Sequence, residues 1–514
     1  MPLAPATDRP PLFLGLDLGT TSLKALLVEG HAGVVASATA EYPLATPHPG
    51  WSEQDPAHWL RAAHDATRQA LARAEAAGHP GAGARVAAIG FSGQMHGGTF
   101  VDRANDPVCP CILWNDARTA DECDALDREL GRETILARTG NRMLAGFTAP
   151  KVRWLQRHRP EAWRATDCIL LPKDWLRLKL GSRRVTDASD ASGTLYFDVA
   201  QRAWSAPMLH DLGIDAAQVP ECAESPDVVD RLNDAAAAAM GLRAGIPLVA
   251  GAGDQAAGAV GGGIVRPGRL SAVLGTSGVI FAPTDRFRAS PDGALHAFCH
   301  AVPGRWHLMS VTLSAAGALR WFRDTLAHGA VARAAAAGID PYAQIDADAA
   351  GAPDGCEGLV FLPMLAGERC PFPDAHARAA FVGATLAHGP AHVARAVLEG
   401  VATSMAASME MIRAAGVPAD LAVGSGGGFA SALWTQMHAD AFGIPIVRTD
   451  AREGAAMGAA ILAAVGAGAF PDVDAAVARS RETGRTLPNP GARPTWDARI
   501  RRQRALHRAI RGTD

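Results

Sequence analysis

A short apolar run, LFLGLDL at Leu12–Leu18, predicts a buried β-strand, with GTTS at residues 19–22 as the turn after it. An apolar run at 23–30 and a partly alternating one at 34–42, parted by His31-Ala32-Gly33, predict two further strands. The chain is therefore expected to open on an antiparallel meander. Residues 55–77 bring Trp59, Ala63, Ala66 and Ala70 near one face at helical spacing and stop at Gly78 and Pro80, which predicts a helix. VAAIGFSG, from Val86, is apolar again and is reached only after that helix, as a strand parallel to an earlier one would be.

A similar succession returns in the second half. PLVAGAGD ends in an acid at Asp254, residues 269–283 read as strand, Gly-Thr turn and strand, and 421–425 read as a strand running into Gly426-Gly427-Gly428. Helical patterns follow at 430–442 and 453–467. The expected class is α/β with mixed sheets flanked by helices, internally duplicated. A chain of 514 residues predicts more than one domain, and glycine density peaks between 254 and 263. The expected division is a flexible Pro-rich tail at 1–11, a first domain at 12–257 and a second at 258–514.

Composition narrows the function classes. Hydrophobic residues at 48% and charged residues at 20% describe a globular chain and exclude a disordered or collagen-like one. Lys plus Arg is 49 against 52 for Asp plus Glu, a net charge of −3, so there is no cationic excess to track a nucleic acid, and none is expected as partner. The 8 cysteines are scattered, and the close pair Cys109 and Cys111 has no second pair or nearby His to complete a zinc site; reduced thiols are expected. The start lacks the basic and apolar segments of an export signal, and the least polar run, 455–470, is shorter than the roughly 20 residues of a membrane span. A cytoplasmic protein without membrane attachment is expected.

Asp17 sits inside an apolar run, where an uncompensated carboxylate costs several kcal/mol. A Mg²⁺ held there, usually through water, would compensate it, with Gly19, Thr20 and Thr21 offering N–H groups and hydroxyls to nucleotide phosphates; the plainer alternative is an Asp bonding its own turn. The spacing of a Walker loop is absent. Asp254, beside Gly253 and other small residues, could accept a sugar hydroxyl's proton as its oxygen attacks a phosphorus, or could simply cap the following helix. Gly275-Thr276-Ser277-Gly278 could cradle phosphate or be an ordinary β-turn. Ser92–Gly98 places Gln94 and His96 after a strand, where open α/β sheets bind ligands, with Trp114, Asn115, Asp116 and Arg118 adding polar groups near in sequence; the plainer alternative for His96 is a structural histidine. Gly426-Gly427-Gly428 would let a backbone approach a flat ring or a phosphate, or form a plain loop.

Several segments together resemble the FGGY family of carbohydrate kinases, within the actin-like ATPase superfamily, over nearly the whole chain. They are Asp17-Leu-Gly-Thr-Thr, Trp51-Ser-Glu-Gln-Asp-Pro, Ser92-Gly-Gln-Met-His-Gly, Ile112-Leu-Trp-Asn-Asp, Gly146-Phe-Thr-Ala-Pro-Lys with Trp154, Leu171-Pro-Lys-Asp-Trp, Ala188-Ser-Asp-Ala-Ser-Gly-Thr, Gly253-Asp254, Leu274-Gly-Thr-Ser-Gly, Arg305-Trp-His-Leu-Met-Ser, Phe381-Val-Gly-Ala through Glu399, and Gly426-Gly-Gly. The resemblance implies two ribonuclease-H-like domains with a cleft between them that closes on a sugar. It implies phosphoryl transfer from ATP, with Mg²⁺, to D-xylulose, giving D-xylulose 5-phosphate in D-xylose catabolism; the Gln-Met-His segment points to that acceptor. By the same resemblance Asp254 takes the place of the general base and Met95-His96 that of the sugar-contacting pair. Asp17 matches the acid near Mg²⁺, Thr21 and Thr276 the phosphate contacts, and Gly427-Gly428 the nucleotide-side glycines. One departure stands out: Gln255 occupies the position where members acting on D-xylulose tend to carry Asn, and its longer amide is expected to reach a sugar hydroxyl. Rival readings are a family kinase for another ketose or polyol, a catalytically silent sugar sensor, and a chaperone-type actin-like ATPase, which needs a peptide-binding domain that no leftover stretch supplies. A homodimer is left open.

Overall fold

The computed structural model describes residues 9–30, 33–450, 453–478 and 481–511. Most of the Pro-rich start and the break at His31-Ala32 lie outside the described residues. Leu12–Leu18 is a strand in which only Asp17 is not fully buried, and it pairs antiparallel with Ser22–Glu29, which pairs antiparallel with Gly33–Glu41. The helix Pro56–Ala76 then carries the chain over to Val86–Gly93, a strand parallel to the first, as expected of a long crossover. Asp55 caps that helix by accepting from the Ala57 N–H, and Trp59, Ala63, Ala66 and Ala70 are buried on its inner face. Burying a side chain such as Trp59 stabilises the fold by about 1.5–3 kcal/mol.

The first sheet runs, edge to edge, Val228–Arg231, Pro247–Val249, Val86–Gly93, Leu12–Leu18, Ser22–Glu29 and Gly33–Glu41. The second sheet repeats that order with one extra strand, His296–Cys299, at the meander end. Trp306–Thr312, Gly278–Thr284 and Gly268–Leu274 form an antiparallel meander, followed by Ala419–Ser425 and Ile446–Thr449, both parallel to Gly268–Leu274. The duplication read from the two Gly-Thr turns is therefore a duplication of topology. Each turn joins the first and second strands of its sheet, and each is closed by a bond from its glycine N–H, Gly19 N–H to Ser22 O at 3.0 Å and, one residue shorter in span, Gly275 N–H to Ser277 O at 3.1 Å. Central strands covered on both faces need apolar residues on both, which is why the sequence shows continuous apolar runs there rather than alternation.

Two helices join the sheets. Gly454–Gly466, rich in alanine, lies on the first sheet although it follows the last parallel strand of the second, and it crosses Asp254–Gly261. A Cβ on Gly458 would stand 1.8 Å from the Ala257 carbonyl oxygen, so the two helix backbones touch where a side chain would part them. Position 257 lies inside the helix Asp254–Gly261. No described helix is long and apolar enough to cross a membrane.

Candidate active site

The short strand Ala252–Gly253 pairs with Ser92 and Gly93 at the end of Val86–Gly93, and the chain turns there into the helix Asp254–Gly261. Asp254 thus arrives beside Met95 and His96, which follow that neighbouring strand. Met95, His96, Asp254, Gln255 and Ser277 line one cavity of about 180 Å³, with Phe147, Phe298, Met309 and Val311 as its apolar walls. Residues from both halves of the chain build it. One helical turn further along, Gly258 and Gly262 line a second cavity of about 530 Å³ with Ser271, Ser425, Gly426, Phe429, Arg448 and Thr449. Residue 258 is about 6 Å along the helix from 254. A small acceptor and a larger donor can therefore occupy adjoining spaces.

Burial pushes the Asp254 carboxyl up to about 7, the negative charge of Asp17 adds to the rise, and hydrogen bonds from the Gln255 backbone and side chain oppose it. Gln255, expected to reach toward a sugar, lines the same cavity, and its side-chain amide also bears on Asp254. Burial also raises Asp17, with the Ser92 side chain and the Lys24 ammonium opposing; Lys24 is itself paired with Glu453. Two neighbouring acids, both raised by burial, form a place that a hard cation fits. Among the described residues no group of three or more His, Cys, Asp or Glu side chains could hold a metal by itself, so such a cation would complete its shell with water and phosphate oxygens.

His96 is held from two sides. Its Nδ1 is 2.8 Å from the Gly193 carbonyl, and its own carbonyl accepts from Lys151 Nζ at 2.7 Å and from the Thr148 hydroxyl at 3.1 Å. Burial pushes its ring down to about 3, so near pH 7 it is neutral: Nδ1–H donates to Gly193, and Nε2 is left as an acceptor. A Cβ on Gly193 would stand 2.5 Å from that Nδ1, so glycine is what admits the bond. Lys151, whose ammonium burial pushes down to about 7, spends its charge on the His96 and Gly146 carbonyls.

The first Gly-Thr turn is braced by three contacts. Tyr42 donates its hydroxyl to the Gly19 carbonyl at 2.6 Å, Gln54 donates to the Thr20 carbonyl at 2.5 Å, and Trp114 Nε1 donates to the Thr20 hydroxyl at 3.0 Å. Thr21 and Thr276 are exposed on their turns. The second turn is tied to the start of the helix Ala316–Thr325 by bonds from Ala315 and Gly317 to the Thr276 carbonyl and from Ala316 to the Gly275 carbonyl. Of the glycine triplet, Gly426 lines the larger cavity and Gly427 and Gly428 do not. Gly428 is packed where a Cβ would meet Leu274 at 2.4 Å, while Gly427 faces open space. Asp116 and Arg118 are occupied with each other at 2.7 Å, and the guanidinium also meets Glu53 and stacks over Trp51, so this pair serves structure rather than ligand.

A buried ion cluster below the site escaped the sequence reading. Lys173 Nζ lies 2.5 Å from Asp174, 2.8 Å from Asp187 and 3.3 Å from Asp190, all fully buried. Burial works to lower the Lys173 ammonium and the three aspartates together raise it; burial holds Asp190 well above the usual carboxylate range. Asp187 accepts from the hydroxyls of Ser189 and of Ser225, the latter at 3.0 Å, and Ser189 Oγ accepts from the Gly253 N–H at 3.2 Å. The Gly193 N–H donates to the Asp190 carbonyl. The cluster thereby anchors the residue before Asp254 and the residue that orients His96.

A duplicated mixed-sheet fold with paired turns and a cavity walled by both halves belongs to the ribonuclease-H-like, actin-like ATPase class. Residues 12–261 match the FGGY family of carbohydrate kinases, N-terminal domain, and 270–467 match the C-terminal domain of the same family. The chain belongs to the FGGY family of carbohydrate kinases. It is 42% identical over 457 residues to a xylulose kinase of Escherichia coli strain K12, covering 89% of this chain and 90% of that protein. It is 35% identical over 461 residues to a xylulose kinase of Bacillus subtilis strain 168, covering 90% and 89%. The crystal structure of xylulose kinase from Rhodospirillum rubrum superimposes with a TM-score of 0.89 at 31% identity, covering 98% of this chain and 99% of that one.

Proposed function

We propose that this chain transfers the γ-phosphate of ATP to D-xylulose, giving ADP and D-xylulose 5-phosphate, with Asp254 as general base. The placement of Asp254 carries this reading: a carboxyl near 7 stands in the wall of a cavity of sugar size, one helical turn from a cavity of nucleotide size. The similarity to xylulose kinases over nearly the whole chain supports the choice of acceptor. The two family matches support a division between a sugar-side first half and a nucleotide-side second half.

The acceptor hydroxyl lies against Asp254, whose ionised carboxylate takes its proton as the oxygen attacks phosphorus and the bond to ADP breaks. His96 Nε2 accepts from another sugar hydroxyl, and Met95 packs on the carbon chain. Thr21 and Thr276, on the paired turns, contact the phosphates. Asp17 would hold Mg²⁺ through water, and the ion would offset phosphate charge during transfer. The apolar walls exclude water, which favours transfer to sugar over hydrolysis. An intact Asp254, Asp17 and both turns weigh against a silent sensor.

Incubation with ATP, Mg²⁺ and D-xylulose is expected to yield one sugar phosphate for each ADP; ADP release without sugar phosphate contradicts the proposal.

Protonated Asp254 cannot act as base, so kcat/KM for the sugar is expected to rise with pH through an acid limb centred near 7. Burial is the main cause of that high value and the Asp17 charge the second, so Asp17→Asn is expected to move the Asp254 titration to lower pH. NMR titration of the carboxyl in nucleotide-free protein reads this directly. A midpoint that stays or rises in the variant refutes the coupling.

A further inference from the structure

We propose that Arg369 is the specificity-determining donor of the acceptor pocket, binding the carbonyl end of a 2-ketose while Asp254 holds the hydroxyl at the other end. The inference rests on the kinase reading above and deepens it.

Arg369 lines the same cavity as Asp254 and His96, but it comes from the second half of the chain. Its backbone is fixed. The Glu368 carboxylate accepts from the Leu313 N–H at 2.8 Å and the Arg369 N–H at 2.9 Å, and the Thr312 hydroxyl donates to the Cys370 carbonyl at 3.1 Å, tying this segment to the end of Trp306–Thr312. Among the described residues no acceptor bonds its guanidinium and no carboxylate lies within ion-pair distance of it. The neighbouring walls are Phe298, Met309 and Val311, and burial lowers the guanidinium from its usual range. An unpaired cation against apolar walls is a standing cost that a bound acceptor would relieve.

The remaining polar groups show which acceptor. Asp254 and the His96 Nε2 are hydrogen-bond acceptors, which suit hydroxyls. A ketone oxygen has no hydrogen to give and needs a donor. The Gln255 amide, the Ser277 hydroxyl and the neutral His296 ring also carry N–H or O–H groups, but among the described residues lining the cavity the fork of Arg369 N–H groups is the one charged donor, and a charged fork gives a carbonyl oxygen its strongest bond. Its charge is felt at His96 and His296, whereas the charge felt at Asp254 is that of Asp17, so Arg369 stands toward the histidine end of the pocket.

The test is KM for D-xylulose, Ki for xylitol as a competitor lacking the carbonyl, kcat, KM for ATP, and melting temperature, in wild type, Arg369→Met and Arg369→Gln. The glutamine variant keeps a polar side chain should the methionine variant not fold. A lost hydrogen bond to a charged donor is expected to raise KM for D-xylulose by about 10- to 100-fold, with Ki for xylitol, kcat and KM for ATP within about threefold. An unchanged KM, an equal rise in KM and Ki, or a fall in kcat alone overturns the assignment; the last would put Arg369 on the transferred phosphate. So does a wild-type preference for D-gluconate that the variants lose, which would make Arg369 a carboxylate site. Wild type inactive on D-xylulose refutes the kinase reading itself, whereas active wild type with indifferent variants refutes this inference alone.

Discussion

In Asp254→Asn, kcat for D-xylulose phosphorylation is expected to fall by about 10²–10⁴-fold, while KM for the sugar stays within a few-fold. The amide keeps the size of the carboxylate and can still orient a hydroxyl, but it cannot take a proton at neutral pH. Gln255, which bonds the carboxylate in the native chain, can turn its amide to bond the new one, so the local fold is expected to survive. Steady-state kinetics with both substrates varied separate the two outcomes. A raised sugar KM at unchanged kcat would make Asp254 a binding residue, and undiminished turnover would remove it from the chemistry.

Lys173→Met is expected to destabilise the protein by about 3–5 kcal/mol, because it leaves Asp174, Asp187 and Asp190 buried without their shared cation. For domains of this size that is a fall in melting temperature on the order of 10 °C. Losing the network also loosens the Ser189 contact to Gly253 and the Gly193 carbonyl that orients His96. A surviving folded fraction, assayed well below its melting temperature, should therefore show a higher sugar KM than wild type. Thermal unfolding decides the first part, and a melting temperature within 2 °C or so of wild type, on that same scale, would mean that the cluster reprotonates at little cost.

Much of the fold is legible in the sequence because central strands demand apolar runs and tight turns demand glycine: Leu12–Leu18, Val86–Gly93 and both Gly-Thr turns fall where the pattern places them. Met95, His96, Asp254 and Gln255 meet in one cavity because they follow two paired strands. The Lys173 cluster was not legible, since its members at 173, 174, 187 and 190 look like ordinary charges on two short helices and a strand end, and only the fold closes them on one another. Leu171-Pro-Lys-Asp-Trp and Ala188-Ser-Asp-Ala-Ser-Gly-Thr stood out as motifs without a physical reason; the ion cluster supplies one. Arg369 lies in an irregular stretch with no periodicity, and nothing local tells it from a surface arginine. The contact between Gly458 and Ala257 likewise joins residues some two hundred apart, where the chain pattern is only a run of small residues. Gly428 illustrates the opposite limit: a glycine triplet signals close approach, but the sequence does not say whether a ligand or Leu274 approaches.

The most direct test of the account is kcat/KM measured with Mg²⁺ and ATP across D-xylulose, D-ribulose, L-xylulose, L-ribulose, glycerol and D-fructose. D-Xylulose is predicted to give the highest value, at least about tenfold above the next acceptor, the margin that one or two well-placed hydrogen bonds provide. A higher value for another sugar would contradict the acceptor assignment, and no phosphorylation of any of them would contradict the kinase reading altogether.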